Sequence, residues 1–408
     1  MKHTQTIQML AAAALAALSL GSASATVTYV TGATSFEAVT DNALKTFATN
    51  NFGNQVTWDN ATFGKETNEI FTWGPDASHV TNQIIVHWYG SEGVVQTLSA
   101  PTNNPVTLPF YPTNAATGLV SGTNATDLHS PQWGMYDNYQ TTSVFYKTGA
   151  GDGNYYSPIT DDTKIAAESY AIIANTNWPS SVTNITTANL RSLYTQGGVA
   201  LALITGNPAD QTNTVFAVGR NPDGGTRAVT FAETQIGSKF NGAQQYQFIS
   251  SNDITLWPTE TIDGISTVTD GNSGYATDGA LRGIFTNTLA DGPGIDDTGS
   301  IQGSTGHNYI IGYTSVKNAT GSPGVVILNF NGVAPSSQNV ENGSYTLWAF
   351  AHIGVSPNYA DATATTIAHT IASTIQGYSD SQLGTGNAKL TNLKVTRTAD
   401  GGNIYQTY

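Results

Sequence analysis

The stretch VFAVGRNPDGGTRAVTFAET, Val215 to Thr234, constrains this chain more than any other. Val215, Ala217 and Gly219 alternate as a strand does, Asn221 to Gly225 make a tight loop, and helical character resumes at Thr226. A helix is therefore expected to open at Gly225-Thr226, directly behind a strand. The first turn of a helix carries unpaired backbone N–H groups and the positive end of its dipole. Here glycines let a ligand approach them, and Arg220 stands across the loop. Such a turn is a small anion trap or, on the plainer reading, a capped helix beside a solvated arginine. The nucleotide cradles do not fit. Gly219 and Gly224 have the spacing of the first two Walker A glycines, but Gly225 and Thr226 follow where Lys and Ser/Thr are required, and no G-x-G-x-x-G follows a strand.

The same grammar occurs twice more. Val27 to Val30 reads as a strand and Thr31 to Ser35 as a turn, after which Phe36, Val39, Ala43, Leu44 and Phe47 share one helical face. Ile84 to Trp88 reads as a strand, Gly90-Ser91-Glu92-Gly93 as a turn, and Val94, Val95 and Leu98 as the following helix. Ser and Thr are favoured helix caps in any protein, so one such unit says little and three in one chain say more.

Residues 1–25 read as an export signal: Lys2 and His3 precede the apolar run Met9 to Leu20, and Ala23-Ser24-Ala25 is a signal-peptidase pattern. Cleavage there would take one of the 14 basic and none of the 28 acidic residues, moving the formal net charge from −14 to −15. No later stretch approaches the roughly 18 apolar residues of a membrane span. There is no cysteine, which removes disulfides, thiolate metal sites and lipid attachment through a lipobox, and a periplasmic or secreted location is expected. An acidic chain in which only 10% of residues are charged is a poor partner for nucleic acid or anionic membranes. A small anion can still bind through N–H donors and one Arg at contact range, because repulsion is screened beyond about 8 Å at physiological salt.

Other chemistry is thinly represented. The seven histidines show no zinc spacing and no H-E-x-x-H, and His87 reads as a hydrogen-bonded core residue. Asp152, Asp161 and Asp162, and likewise Asp291, Asp296 and Asp297, lie in loop-like sequence without EF-hand spacing. No G-x-S-x-G elbow occurs. Neither a metal nor a cofactor is expected, and no catalytic residue is assigned.

In order, TGATSF, YGSEGV, MYDNYQ, VGRNPDGGTR and NGSYTLWAFAHI resemble the periplasmic phosphate-binding proteins of ABC uptake systems. SYAIIANT, NITTANLRSLYTQG, NSGYATDGALRGIF, YIIGYTSV and ILNFNGVAPSSQNV also look like family segments, so the resemblance spans most of the mature chain. It implies that Ser35 and the N–H of Phe36 donate to the anion from the first turn and that Ser91 donates from the second. Asp137 would accept a hydrogen bond from a protonated ligand oxygen, and Arg220 would be the cationic ligand, held by Asp223. Gly224, Gly225 and Thr226 would complete the site at the helix start. Two departures stand out: Gly224 replaces a serine hydroxyl, and Glu92 puts a carboxylate beside the site, where it is expected to face solvent. Phe350-Ala351-His352 replaces a frequent Tyr-Glu-His and reads as structural, while Pro101 to His129 and Thr148 to Thr163 read as inserted loops.

The implied architecture is α/β, a two-lobed class II periplasmic-binding-protein fold with mixed, mostly parallel sheets flanked by helices and a hinge crossed twice. The expected lobes are 26–165 plus 340–408 and 166–339, with the crossings near Ile165 and Pro335. The implied function is that of a monomeric, non-enzymatic receptor handing phosphate or a similar tetrahedral oxyanion to an ABC permease. Two other readings are a secreted structural or adhesive protein with a degenerate anion site on the same fold, and a secreted phosphatase, for which no nucleophile-base pair speaks.

Overall fold

The structure, a computed structural model, describes residues 26–52, 60–63, 66–73, 82–112, 126–146, 157–262, 265–292 and 306–407. The expected signal peptide and, within the two inserted loops, residues 113–125 and 148–156 lie outside the described residues. No helix among the described residues is long and apolar enough to cross a membrane.

The chain builds one continuous mixed sheet with helices against it, an α/β fold in two halves. In the first half, strand Thr26–Ala33 lies parallel to both Asn82–Tyr89 and Trp133–Tyr136. In the second, Thr214–Ala217 lies parallel to Asn308–Ser315. These parallel ladders deliver the site-forming turns at their carboxyl ends, where open α/β sheets place ligands. Antiparallel pairs finish the edges and join the halves.

The joining element is the 14-residue strand Asp161–Ala174. From Asp161 to Ser169 it pairs with Trp348–Val355, and from Tyr170 it pairs with Asn308–Ser315. One strand thus belongs to both ladders and changes partner between Ser169 and Tyr170. Of this strand the sequence marked only the second part, within SYAIIANT from Ser169 onward. The preceding residues DDTKIAAE lack an alternating apolar pattern, and pairing with Trp348–Val355 is what extends them. Asp161 and Asp162, expected in a loop, therefore open this strand, where they pair with His369 at 2.8 Å and His352 at 2.9 Å.

Core packing follows the period of two expected for a sheet covered on both faces. Ile172, Ala174, Val215, Ala217 and Ile311 point into one core, while Ala171, Ile173, Phe216, Val218 and Ile310 point into another. The first half has its own core around Trp88, Trp133, Met135 and helix Glu37–Phe52, whose Val39, Ala43, Leu44 and Phe47 are all buried as the helical spacing requires. His87 is fully buried and its Nδ1 lies 2.7 Å from the Pro109 carbonyl, as read from its place in an apolar strand. The chain's last segment crosses to the other core. Val395 packs with second-half residues, and the Arg397 guanidinium bonds the Trp348 carbonyl at 2.8 Å and Glu233 at 3.2 Å.

Candidate functional site

Three turns converge between the halves. Ala33 ends the first strand and Thr34 and Ser35 follow it; Gly90 and Ser91 follow the second; Gly225 and Thr226 start helix Gly225–Glu233. With Asp137 and Arg220 they line one cavity of about 10 Å³, room for a single water-sized group. Of the eight residues assigned from sequence, Ser35, Ser91, Asp137, Arg220, Gly225 and Thr226 line it. Ala33, Thr34 and Gly90 are additional.

Phe36 and Gly224 are not among the lining residues. The Phe36 ring is buried in the first core, and its N–H donates to the Ala33 carbonyl at 3.2 Å, closing the turn. Gly224 is the residue before the helix, with an extended backbone and no side-chain cap, and its N–H donates to the Asn221 carbonyl at 3.1 Å. It lies against Arg220: a Cβ there would stand 3.0 Å from the Arg220 Cβ and 3.3 Å from its Cζ. With no hydroxyl cap, the first N–H groups of this helix keep the orphan state that suits an anion.

Asp137 is the hub of the first half. It is 1% exposed, and its carboxylate accepts hydrogen bonds from Ser35 Oγ at 2.7 Å and from Ser91 Oγ, whose own oxygen accepts from the Asp137 N–H at 3.2 Å. Ser35 Oγ also lies 3.3 Å from Glu168 Oε2. Glu168 comes from the joining strand and is fully buried, with Oε1 lacking a hydrogen-bond partner. Burial, with Asp137 and Asp278 nearby, holds its carboxyl well above the usual range. Nothing in the sequence pattern pointed to Glu168.

Arg220 is the only cation lining the cavity and is 4% exposed. Its orientation is fixed from behind: Nε donates to the Tyr275 carbonyl at 3.0 Å, Nη2 to the Ala276 carbonyl at 2.7 Å, and its backbone N–H to Tyr313 Oη at 3.2 Å. A guanidinium has five donors, so most of the fork remains for a ligand. A carboxylate the sequence reading did not name, Asp278 Oδ1, stands 3.9 Å from Nη1. Its other oxygen accepts from Thr314 Oγ1 and from Asn318 Nδ2 at 2.7 Å. Tyr275, Ala276 and Asp278 all fall in NSGYATDGALRGIF, a segment the sequence marked without giving it a role.

The expectation that Glu92 faces solvent is corrected. The helix after the second strand begins at Ser91, before the Gly-Ser-Glu-Gly turn is complete, and carries Glu92 into the first half with no exposed surface. Its oxygens accept from Asn138 Nδ2 at 2.7 Å, Ser143 Oγ at 2.7 Å and the Val144 N–H at 2.8 Å. Burial outweighs these bonds and lifts its carboxyl to about 7. It is not among the residues lining the cavity.

Around the cavity stand one guanidinium fixed from behind, the start of helix Gly225–Glu233, and two serine hydroxyls that both donate to the Asp137 carboxylate. Among the described residues no group of three or more His, Cys, Asp or Glu could hold a metal ion.

No protein-family model and no curated protein matches the chain. Solved structures similar to it include three bacterial proteins. One is a Clostridium perfringens protein with bound phosphate, described as a phosphate ABC transporter substrate-binding protein (14% identity, 88% of this chain and 98% of that one, TM-score 0.45). The others are an ABC-type phosphate transport receptor from Vibrio cholerae (14%, 88% and 98%, 0.46) and PstS from Borrelia burgdorferi (13%, 85% and 92%, 0.37).

Proposed function

We propose that this protein is a non-enzymatic receptor for phosphate or a similar tetrahedral oxyanion, acting outside the cytoplasm and passing its ligand to an ABC permease. One observation carries the reading: residues from distant parts of the sequence, Ser35, Ser91, Asp137, Arg220, Gly225 and Thr226, meet on a single buried cavity between two halves joined by a shared strand.

The chemistry supports it. An oxyanion with four oxygens needs several times the room of one water, about 30 Å³ each in the liquid, so binding requires the halves to part and close again around the ligand. Ser35, Ser91 and Asp137 come from one half and Arg220, Gly225 and Thr226 from the other, so a bound anion favours the closed form by touching both. In that form the serine hydroxyls turn from Asp137 to the ligand. Asp137 is then left to accept a hydrogen bond from a protonated oxygen, which phosphate has at neutral pH and sulfate lacks. The alternative of a degenerate, adhesive protein drew on Glu92, Gly224, the inserted loops and the missing lipid anchor, and of these Glu92 is committed to Asn138, Ser143 and Val144.

The test is calorimetric titration of the mature protein with phosphate, arsenate, sulfate, molybdate and tungstate. Phosphate is expected to bind. Arg220→Ala should weaken it by about thirtyfold or more, the usual consequence of removing one partner of a buried charge pair. Asp137→Asn should narrow the margin between phosphate and sulfate, since the amide can donate to an oxygen that has no proton. Absence of heat with all five anions would reject the proposal.

A further inference from the structure

Glu168 is a buried acid behind the anion cavity to which the oxyanion reading gives no task. It lies on the joining strand opposite Ala349, just before the strand changes partner, and has no exposed surface. Its place is fixed on both sides: Ala167 and Ala388 exchange two backbone hydrogen bonds of 2.9 Å, and Ser169 Oγ donates to the Gly386 carbonyl at 2.6 Å. The carboxyl group does not line the cavity. It reaches it through Ser35, which does.

Proton counting around Ser35 is informative. Its Oγ has one proton and two carboxyl neighbours, Asp137 Oδ2 at 2.7 Å and Glu168 Oε2 at 3.3 Å. The proton goes to the nearer, Asp137, which also receives the Ser91 hydroxyl proton. Toward Glu168 the Ser35 oxygen therefore presents lone pairs, and that contact is a hydrogen bond only when Glu168 is the donor. The other oxygen, Oε1, is enclosed without a partner. A neutral acid leaves only a carbonyl oxygen there, whereas a carboxylate would leave part of a buried charge unmatched, which is far costlier. The charges facing Glu168 act in the same sense. Asp137 and Asp278 oppose a charge on it and Lys317 alone favours one. Three carboxylates around the one guanidinium of the cavity would also repel any anion, and a neutral Glu168 removes one of them.

We propose that Glu168 is a positioning residue for the oxyanion, a protonated acid whose O–H donates to Ser35 Oγ and so turns the Ser35 hydroxyl to the ligand. The proposal rests on the oxyanion reading and supplies what frees Ser35 from Asp137. With an anion in the cavity, the Ser35 O–H rotates to a ligand oxygen while the Glu168 O–H holds the Ser35 oxygen from behind. The two donors in series polarise each other, which strengthens the one that meets the ligand. Asp137, released from Ser35, accepts from the protonated ligand oxygen. The two acids have opposite tasks, one donating and one accepting, and no proton changes owner.

The test is calorimetric titration of the mature parent, Glu168→Gln and Glu168→Leu with inorganic phosphate at pH 7. The glutamine amide is neutral and still donates to Ser35, so its affinity is expected within about twofold of the parent. Leucine has a similar size and no donor, and affinity should fall by about tenfold, the worth of one buried hydrogen bond. Rescue by glutamine and not by leucine is an outcome that packing alone does not give. Equal affinity in the two variants, at whatever level, overturns the donor role and leaves the receptor reading intact. A gain of tenfold or more in Glu168→Gln also overturns it, because the parent would then hold a charge that repels the ligand. Infrared spectroscopy decides the protonation without the leucine variant. The parent-minus-Glu168→Gln difference spectrum at pH 7 is expected to contain the C=O stretch of a protonated carboxyl group, and carboxylate bands in its place overturn the proposal. A parent that binds no oxyanion rejects the receptor reading and this proposal with it.

Discussion

Glu92 shows how one carboxylate can be misplaced by sequence and still have a measurable role. It occupies the turn that lines the anion cavity, yet helix geometry carries it to the opposite side, where three donors and full burial surround it. Its carboxyl is raised from 4.5 to about 7, so between those values the folded state holds a proton that the unfolded state has released. Stability from this group is therefore complete below about pH 4.5 and declines as pH rises to about 7, by up to roughly 3 kcal/mol. Glu92→Gln removes the titration and keeps the bonds: the new carbonyl can accept from Ser143 and Val144, and Asn138, whose Oδ1 has no partner, can turn its amide to accept from the new NH₂. Urea unfolding of the two proteins at pH 5 and pH 8 should show the variant gaining on the parent by about 1–3 kcal/mol at the higher pH. Comparing the pair cancels the other raised acids, Glu37, Glu69, Glu168, Glu233 and Asp400, which slope the same way in both. Parallel pH profiles would mean that Glu92 is ionised throughout.

The strand-turn-helix units were readable because each is local: alternation, then glycine and hydroxyl residues, then a helical face. Their convergence depends on a long-range feature, the strand Asp161–Ala174, whose first half has no pattern of its own and is drawn into the sheet by Trp348–Val355. The same distinction separates the site residues. Ser91 and Arg220 sit at turns and could be picked out, whereas Glu168 and Asp278 reach the site from pairing and packing that no short window contains. Phe36 was legible as a helix-face residue, and its N–H is engaged by Ala33 at the same turn. At the meeting of the turns, space itself can be tested. A Cβ on Gly225 would stand 2.1 Å from Asp137 Oδ1 and 2.6 Å from Ser91 Cβ, so Gly225→Ala props the helix start away from the facing turn. Both partners lie on the other half, so the methyl opposes closure more than folding. Oxyanion affinity should fall by about tenfold or more, with the thermal midpoint kept within about 3 °C. A large drop in midpoint with unchanged affinity would instead make the contact a purely structural one.

The molecule is acidic overall and offers an anion one guanidinium at the cavity, and this separates the kinetics of binding from its strength. A formal net charge of −14 surrounds a cavity with one guanidinium, so an incoming anion is repelled at long range and attracted only on contact. The repulsion acts through solvent and is screened over about 30 Å at 0.01 M salt and about 8 Å at 0.15 M. The final contacts are buried and short, and salt reaches them weakly. Raising salt across that range should therefore increase the association rate constant for phosphate by about twofold or more and leave dissociation nearly unchanged. This is the reverse of an electrostatically steered anion receptor. Stopped-flow mixing can follow it through intrinsic fluorescence, since the chain has seven tryptophans and Trp257 lines a cavity next to the site. An association rate that falls with salt would mean that the field at the cleft is locally positive and overrides the acidic surface. Arg220 and the helix start at Gly225 would then steer the ligand as well as hold it.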